Sequence, residues 1–414
     1  MISVGVAMRK IVLGFGALAL CTGSALAQDA GRFTVTLGGT TSPTLGQRPI
    51  LGFGDDGFAA LGYRHQGARL GYNLEVSGES DGDGVRLDRS YVETYWGEFT
   101  FGLGAIDRNW GPSRHTSLIM SSNARPFASA YVQKREYSAF DTPLLSWIGP
   151  WKGEVFLGQS DSPGNPDNTK LLGMRLQLQP VTGFEIDLVR TAQWGGEGRP
   201  EGFGDFIDTL IGRSNSATEP DANQLAGLGL SYTLPENIAP IRVYGQAIGE
   251  DESGGLPSCF MYLAGVEGRG QSFGVPTTVT VEGATTEIAD STNGFCGDGT
   301  AYTNFFYDGG YTNEGVVMGA PMDTDSRMVQ LAVTHELSNF DVNWSLGYYV
   351  INAPSLPDHR LTAERTEGGI VRVGASRDFA DLSVLGEVTY QSFDLERAGQ
   401  DRGFGVGLRL AKSF

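Results

Sequence analysis

Residues 403–414 read GFGVGLRLAKSF and end the chain. Phe404, Val406, Leu408, Leu410 and Phe414 fall on one side of an extended backbone. Gly405, Gly407, Arg409, Ala411 and Ser413 fall on the other. This period of two marks a strand with one apolar face. Lys412 interrupts the apolar side near the terminus, where a long amine can snorkel to an interface. A last amphipathic strand ending in Phe resembles the assembly signal of outer-membrane barrels. An edge strand of a soluble sandwich has the same alternation, so the rest of the chain must decide.

The opposite end favours export. Arg9 and Lys10 precede an apolar run from Ile11 to Leu20, and Ala25-Leu26-Ala27 gives a small-x-small cleavage signal before Gln28. The reading is a signal peptide over 1–27 and a mature chain over 28–414. Leu20 before Cys21 argues against lipoprotein processing, which wants a small residue there. No later segment has the ~18–20 consecutive apolar residues of a membrane helix. The mean hydropathy is −0.16. Barrels escape hydropathy plots because lipid-facing and lumen-facing residues alternate.

Period-two runs occur near 31–41, 57–65, 68–79, 85–96, 98–105, 127–135, 151–160, 169–179 and 183–193. They continue near 223–234, 240–249, 259–267, 275–288, 326–335, 340–350, 369–379, 381–392 and 402–414. The expectation is an all-β fold: a closed antiparallel transmembrane β-barrel of about eighteen strands, an even number as in bacterial barrels. Such barrels start and end in the periplasm, which makes the odd-numbered connections external. Those are 42–56, 80–84, 106–126, 161–168, 194–222, 250–258, 289–325, 351–368 and 393–401. The long connections fall on that side, with 136–150 the main exception.

Sixty glycines in 414 residues are about twice the usual ~7% and suit coiled strands and inward-folding loops. The formal charge is −18, and loss of Arg9 and Lys10 with the leader makes it −20. So acidic a chain is a poor nucleic-acid ligand. An acidic lumen would suit cations or neutral sugars. Cys259 and Cys296 are the mature cysteines, and the count puts both at the external end. In an oxidising compartment a single disulfide between them is the simplest reading.

The most unusual segment is AIDRNWGPSRHTSLIMSSNARPF, residues 105–127. Asp107, Arg108, Trp110, Arg114, Asn123 and Arg125 combine planar donors with an aromatic ring, which suits sugar hydroxyls and acidic sugars. The same residues equally suit a tight Trp-Gly-Pro turn whose arginines pair with lumen carboxylates. Tyr302, Phe305, Phe306, Tyr307 and Tyr311 crowd the long connection 289–325. They could stack on sugar rings, or pack that loop into the barrel mouth.

WGP-x-R-x-x-SLI-x-S-x-NA-x-P resembles the signature of the Wzi-type capsule assembly proteins. The resemblance continues in order through IGPWKGEVFLGQ (148–159), KLLGMRLQLQP (170–180), GGEGRP (195–200) and NQLAGLGLSY (223–232). It extends through IGEDESGGLPSCFMYLAGVEG (248–268), DGGYTNEGVVMGAP (308–321) and MDTDS (322–326). It implies an outer-membrane barrel that binds capsular or exopolysaccharide and supports its assembly at the surface, without catalysis. Surface polysaccharide, outer-membrane lipid and a polysaccharide export complex are the implied partners. Better-known members carry a helical segment that seals the periplasmic end. Here the strand-like run RFTVTLG begins at Arg32, close to Gln28.

Other chemistries find little support. WGGEGRPEGFGDF (194–206) has no Lys-Ser/Thr of a phosphate loop, and a short helix is expected at 205–212. MDTDS lacks the remaining ligands of a calcium loop. The four histidines, His65, His115, His335 and His359, meet no nucleophile elbow. No cofactor, metal or enzyme activity is therefore expected. The competing reading is a general diffusion porin with an acidic lumen.

Overall fold

A computed structural model shows a closed β-barrel and describes residues 31–47, 57–80, 84–213, 215–216, 219–220, 222–253, 256–291 and 294–414. The leader expected at 1–27 lies outside the described residues. Numbering the barrel strands alone, they are β1 Arg32–Thr40, β2 Phe58–Gln66, β3 Leu70–Glu79, β4 Tyr91–Trp96, β5 Phe99–Ala105 and β6 Ala128–Ser138. Next come β7 Trp151–Ser160, β8 Thr169–Val181, β9 Phe184–Trp194, β10 Ala222–Thr233, β11 Ile241–Ser253 and β12 Leu256–Ser272. The last are β13 Val275–Thr285, β14 Arg327–Glu336, β15 Asp341–Ile351, β16 Thr366–Phe379, β17 Leu382–Gln391 and β18 Gly403–Ser413. All eighteen form one antiparallel sheet, and β18 closes on β1 through pairs such as Leu37↔Leu410. Each expected run corresponds to one of these strands.

Two boundaries differ from expectation. The run at 85–96 becomes a strand only at Tyr91. Before it the chain turns inward, with Arg89 at φ 61° and the Ser90 hydroxyl donating to the Glu75 carbonyl at 2.9 Å. The expected loop 250–258 is instead mostly strand, since β11 and β12 extend to Ser253 and Leu256. Cys259, expected at the start of a strand, therefore lies three residues inside one.

Side-chain alternation sorts the wall into two faces. Leu74, Leu103, Val155, Val281, Leu346, Val373 and Val406 are exposed and form an outward apolar belt. Trp96, Phe273, Phe379 and Phe414 are exposed at the periplasmic rim, as in the aromatic girdle of membrane barrels. The inward face is polar, but its carboxylates are mostly paired rather than free: Arg175 with Asp187 at 2.7 Å, Arg269 with Glu267 at 2.8 Å, Arg135 with Glu93. The lumen is therefore a ladder of ion pairs, not the plain acidic channel expected from the net charge. Two inward glycines make room for rings: a Cβ on Gly102 or Gly173 would lie 2.2 Å from Tyr131 or 2.1 Å from Phe156.

Candidate functional site

The signature segment leaves β5 and folds into the lumen. Arg108 enters first. Its guanidinium lies 4.2 Å from the ring centre of Phe156 and 5.4 Å from that of Phe127. It also bonds Glu154 at 2.7 Å and the Ser129 hydroxyl at 2.9 Å. Two carbon faces and a carboxylate thus compensate a buried cation. The Trp110 ring, fully buried, tilts against Phe156 at 5.4 Å. A backbone bond from Trp110 to the Met120 carbonyl, 2.8 Å, closes the loop into a compact turn.

The wall completes that turn. Gln246 of β11 donates its amide to the Trp110 carbonyl at 2.9 Å and accepts the Leu118 N–H at 3.0 Å. One side-chain amide therefore satisfies two backbone groups that would otherwise be buried unpaired. Ser113 donates to Glu282 of β13, and Tyr244 donates to the same carboxylate at 2.8 Å.

The connection 286–326 folds over this turn and locks it. Cys259 and Cys296 are joined by a disulfide, fixing the loop to the external end of β12. The Tyr302 hydroxyl donates to the Leu118 carbonyl at 2.6 Å and accepts the Ala320 N–H at 3.1 Å. Asn123 donates to the Val317 carbonyl at 2.9 Å, and Ser121 to that of Gly319 at 2.6 Å. Arg125 is a hub for Glu79, Asp88 (2.7 Å) and Glu314 (3.4 Å).

A third connection, 352–365, braces the second. Arg360 bonds Asp323 with two nitrogens and reaches the Tyr302 carbonyl at 3.3 Å. Burial pushes the Asp323 carboxyl up, but the Arg360 charge overrides it and holds the group below its usual range. Burial likewise depresses the His359 imidazole, which faces the Thr324 carbonyl at 3.0 Å. The Asp325 carboxylate accepts from Gly299 N–H and the Thr324 hydroxyl. Protein donors thus engage both acids of the MDTDS segment.

The hydrophobic cluster these loops build is continuous with the wall. It joins Leu45, Trp110, Leu118, Ile119, Met120, Tyr302, Tyr311 and Met318 to Tyr131, Phe156, Ile248, Met261, Tyr349 and Ile370. Those wall residues lie on β6, β7, β11, β12, β15 and β16, so the loops pack as a plug against that part of the wall. Beneath the plug, a cavity of about 260 Å³ remains between His115, Thr116 and Pro321 and the wall residues Gln330, Arg372 and Glu387.

The structure thus separates the residues singled out in the sequence. Trp110, Arg108, Asn123, Arg125, Tyr302, Tyr307 and Tyr311 are buried parts of the plug. Of the two roles open to the three tyrosines and Trp110 in the sequence, burial assigns them that of packing. Asp107 and Arg114 are exposed; they pair with Arg89 at 3.1 Å and Glu267 at 3.6 Å. Phe305 is 87% exposed and meets the half-buried Phe306 edge-to-face at 5.3 Å. Arg199, 5.3 Å from the Phe306 ring, backs that pair. Sequence reading missed Gln246, Tyr244, Glu282 and Arg360. Each is an ordinary polar residue on a strand or loop, and only its partner gives it meaning.

Known proteins resemble this chain. The family model described as capsule assembly protein Wzi matches residues 28–364. An uncharacterised 55.8 kDa protein of the cps region of Klebsiella pneumoniae is 36% identical over 177 residues, 42% of this chain and 35% of that protein. The chain thus spans about a third of the length of that curated relative. The fold is shared with a solved Escherichia coli structure: Wzi, an outer-membrane protein involved in group 1 capsule assembly and a carbohydrate-binding β-barrel. The TM-score is 0.79 at 24% identity, with 92% of this chain and 84% of that one covered. The outer-membrane protein OprD of Pseudomonas aeruginosa is more distant, with TM-score 0.52, 10% identity and coverage of 93% and 94%. With the motif order, the strand count and a family match over most of its length, this chain belongs to the Wzi family of capsule assembly proteins.

Proposed function

We propose that this outer-membrane barrel acts as a lectin: it binds capsular or exopolysaccharide and supports its attachment at the cell surface. The observation that carries this reading is the packed loop plug. Three loops and the wall share one hydrophobic cluster, so the external face is a platform rather than an entrance. The carbohydrate binding of the structurally similar Escherichia coli protein supports the same reading. On that platform the Phe305–Phe306 pair offers apolar ring faces to sugar C–H groups, with Arg199 beside it for hydroxyls or carboxylates. Asp107 and Arg114 remain secondary candidates. The role is holding a glycan, without catalysis, and a polysaccharide export complex is the partner that would deliver it.

Purified protein titrated with the host's own surface polysaccharide tests this. Binding is expected, and the double change Phe305→Ala/Phe306→Ala should weaken it about tenfold, equivalent to ~1.4 kcal/mol. Planar bilayers should stay silent. Steady large conductance together with no glycan binding would instead make this a diffusion porin.

A further inference from the structure

The outer wall carries a feature that glycan binding leaves unused. A groove of about 700 Å³ crosses the lipid-facing side of β5 to β12, lined by Val132, Val155, Met174, Leu176, Leu188, Leu228 and Phe260 among others. Strand register explains its course. Val132↔Val155↔Met174↔Arg190↔Ala226↔Gly249↔Phe260 form one hydrogen-bonded row, and Lys134↔Gly153↔Leu176↔Leu188↔Leu228↔Ala247 form the next. All of these alternate with lumen residues and face outward. The rows run across the strands, so with strands tilted by ~35–45° the groove slants up the barrel. Its floor is low where Gly153 and Ala226 replace the bulky residues of the rest of the belt.

Each row holds one cation whose charge is satisfied locally. Lys134 lies under the Trp151 ring at 4.6 Å and donates to the carbonyls of Trp151 (2.7 Å) and Glu136 (2.9 Å). Arg190 donates to the Leu210 carbonyl at 2.8 Å, the Thr209 carbonyl and the Gln224 side chain at 2.6 Å. Those carbonyls end a helix, α1 Phe203–Leu210, whose C-terminal dipole suits a guanidinium. Within the 195–221 connection α1 thus lies against the outer wall, where the Trp194 and Phe206 rings tilt together at 5.8 Å and Ala192 is buried, while Gly195 and Arg199 before it meet Tyr307 of the plug. Phe203, Phe206, Ile207 and Leu210 form one helical stripe, with Asp205 and Asp208 opposite. Phe203 is 79% exposed and Ile211 beyond the helix 54%. Phe206, Ile207 and Leu210 are half-buried, so the uncovered part of the stripe is Phe203, with Ile211 beyond it, an apolar tip suited to the interface.

We infer that the groove and α1 together seat an acyl chain of an outer-leaflet lipid: the chain lies in the slanted groove, and α1 floats at headgroup level above it. The groove is continuous with the apolar belt that already faces lipid. The local pairing of Lys134 and Arg190 makes its walls acceptable to a hydrocarbon chain.

The test uses the full mature chain in bilayers of phosphatidylethanolamine containing lipopolysaccharide. Native mass spectrometry after gentle extraction should show one retained lipid per barrel. Ala226→Phe, which fills the groove from the lipid side, should lower that retention about tenfold, whereas Leu346→Phe on another part of the belt should not. A nitroxide at Phe203→Cys should be quenched by oxygen in preference to a soluble nickel chelate. Equal lipid retention in Ala226→Phe, a water-exposed label at 203, or a second copy of the chain cross-linked across the groove would overturn the inference.

Discussion

Two external connections of this barrel take opposite sides of the wall. The signature loop 106–127 folds into the lumen, and α1 of the connection 195–221 lies out against the lipid-facing surface. The first holds a single glycine, Gly111, and the second is rich in glycine, yet both contain aromatic rings and arginine. The difference lies in the parity of the wall residues that receive them. Gln246, Glu282 and Tyr131 point inward and offer hydrogen bonds, a carboxylate and a ring to the signature loop. Arg190, Trp194 and Gln224 point outward and hold α1. A one-residue change of register would exchange those faces, so the strands, not the loops, decide which connection becomes plug and which becomes rim.

The sharpest way to break the contrast is to remove one arginine from each side. Arg125→Ala leaves the half-buried Glu79 and Asp88 without this cation, a loss smaller than the ~3–5 kcal/mol of a fully buried pair. Glu314, at 42% exposure, adds little because water screens it. The expected result is a lower melting temperature of the heat-modifiable barrel and new conductance in planar bilayers. Arg190→Ala should release α1, seen as faster proteolysis within 195–221, while bilayers stay silent. A silent, equally heat-stable Arg125→Ala variant would show that packing alone keeps the lumen shut.

The next effect concerns the lock on the plug. Cys259→Ser with Cys296→Ser frees a loop closed over a sequence separation of 37 residues. A disulfide of that kind contributes about 2–4 kcal/mol in the chain-entropy account. Residues 286–326 should then be cleaved faster by added protease while 195–221 is unaffected. Equal protection in both forms would assign the lock to Tyr302 and its hydrogen bonds instead.

The smallest effect is a pH dependence confined to the lumen side. The buried His359 has a folded value below its ordinary 6.5, so its contribution is complete above that pH and falls as pH drops toward the folded value. The Asp323 carboxyl, held low by Arg360, keeps its contribution until pH falls below its ordinary 3.8. Hydrogen exchange of 352–365 should therefore rise first on mild acidification, with α1 unchanged. An equal rise in α1 would mean that the two loops are not independent.

The sequence made the barrel legible because its signals are local. Period two, turn residues and the apolar face of 403–414 are read within a dozen residues, and eighteen such runs give the strand count and the side of each loop. Placing both cysteines at one end followed from that count. The signature loop was legible as a family marker, yet its chemistry was not. Its arginines and tryptophan suit a sugar or a packed turn equally well, and the choice depends on residues such as Gln246 and Glu282, more than a hundred positions away in sequence. Lys134 and Arg190 are cations among lipid-facing neighbours, and their local partners appear only in the structure. What only the tertiary structure decided is therefore burial: which rings are spent on the plug, which remain open at Phe305 and Phe306, and which side of the wall each loop covers. Alternation tells a strand that it has two faces, whereas the contacts that fill each face come from segments far apart in the chain.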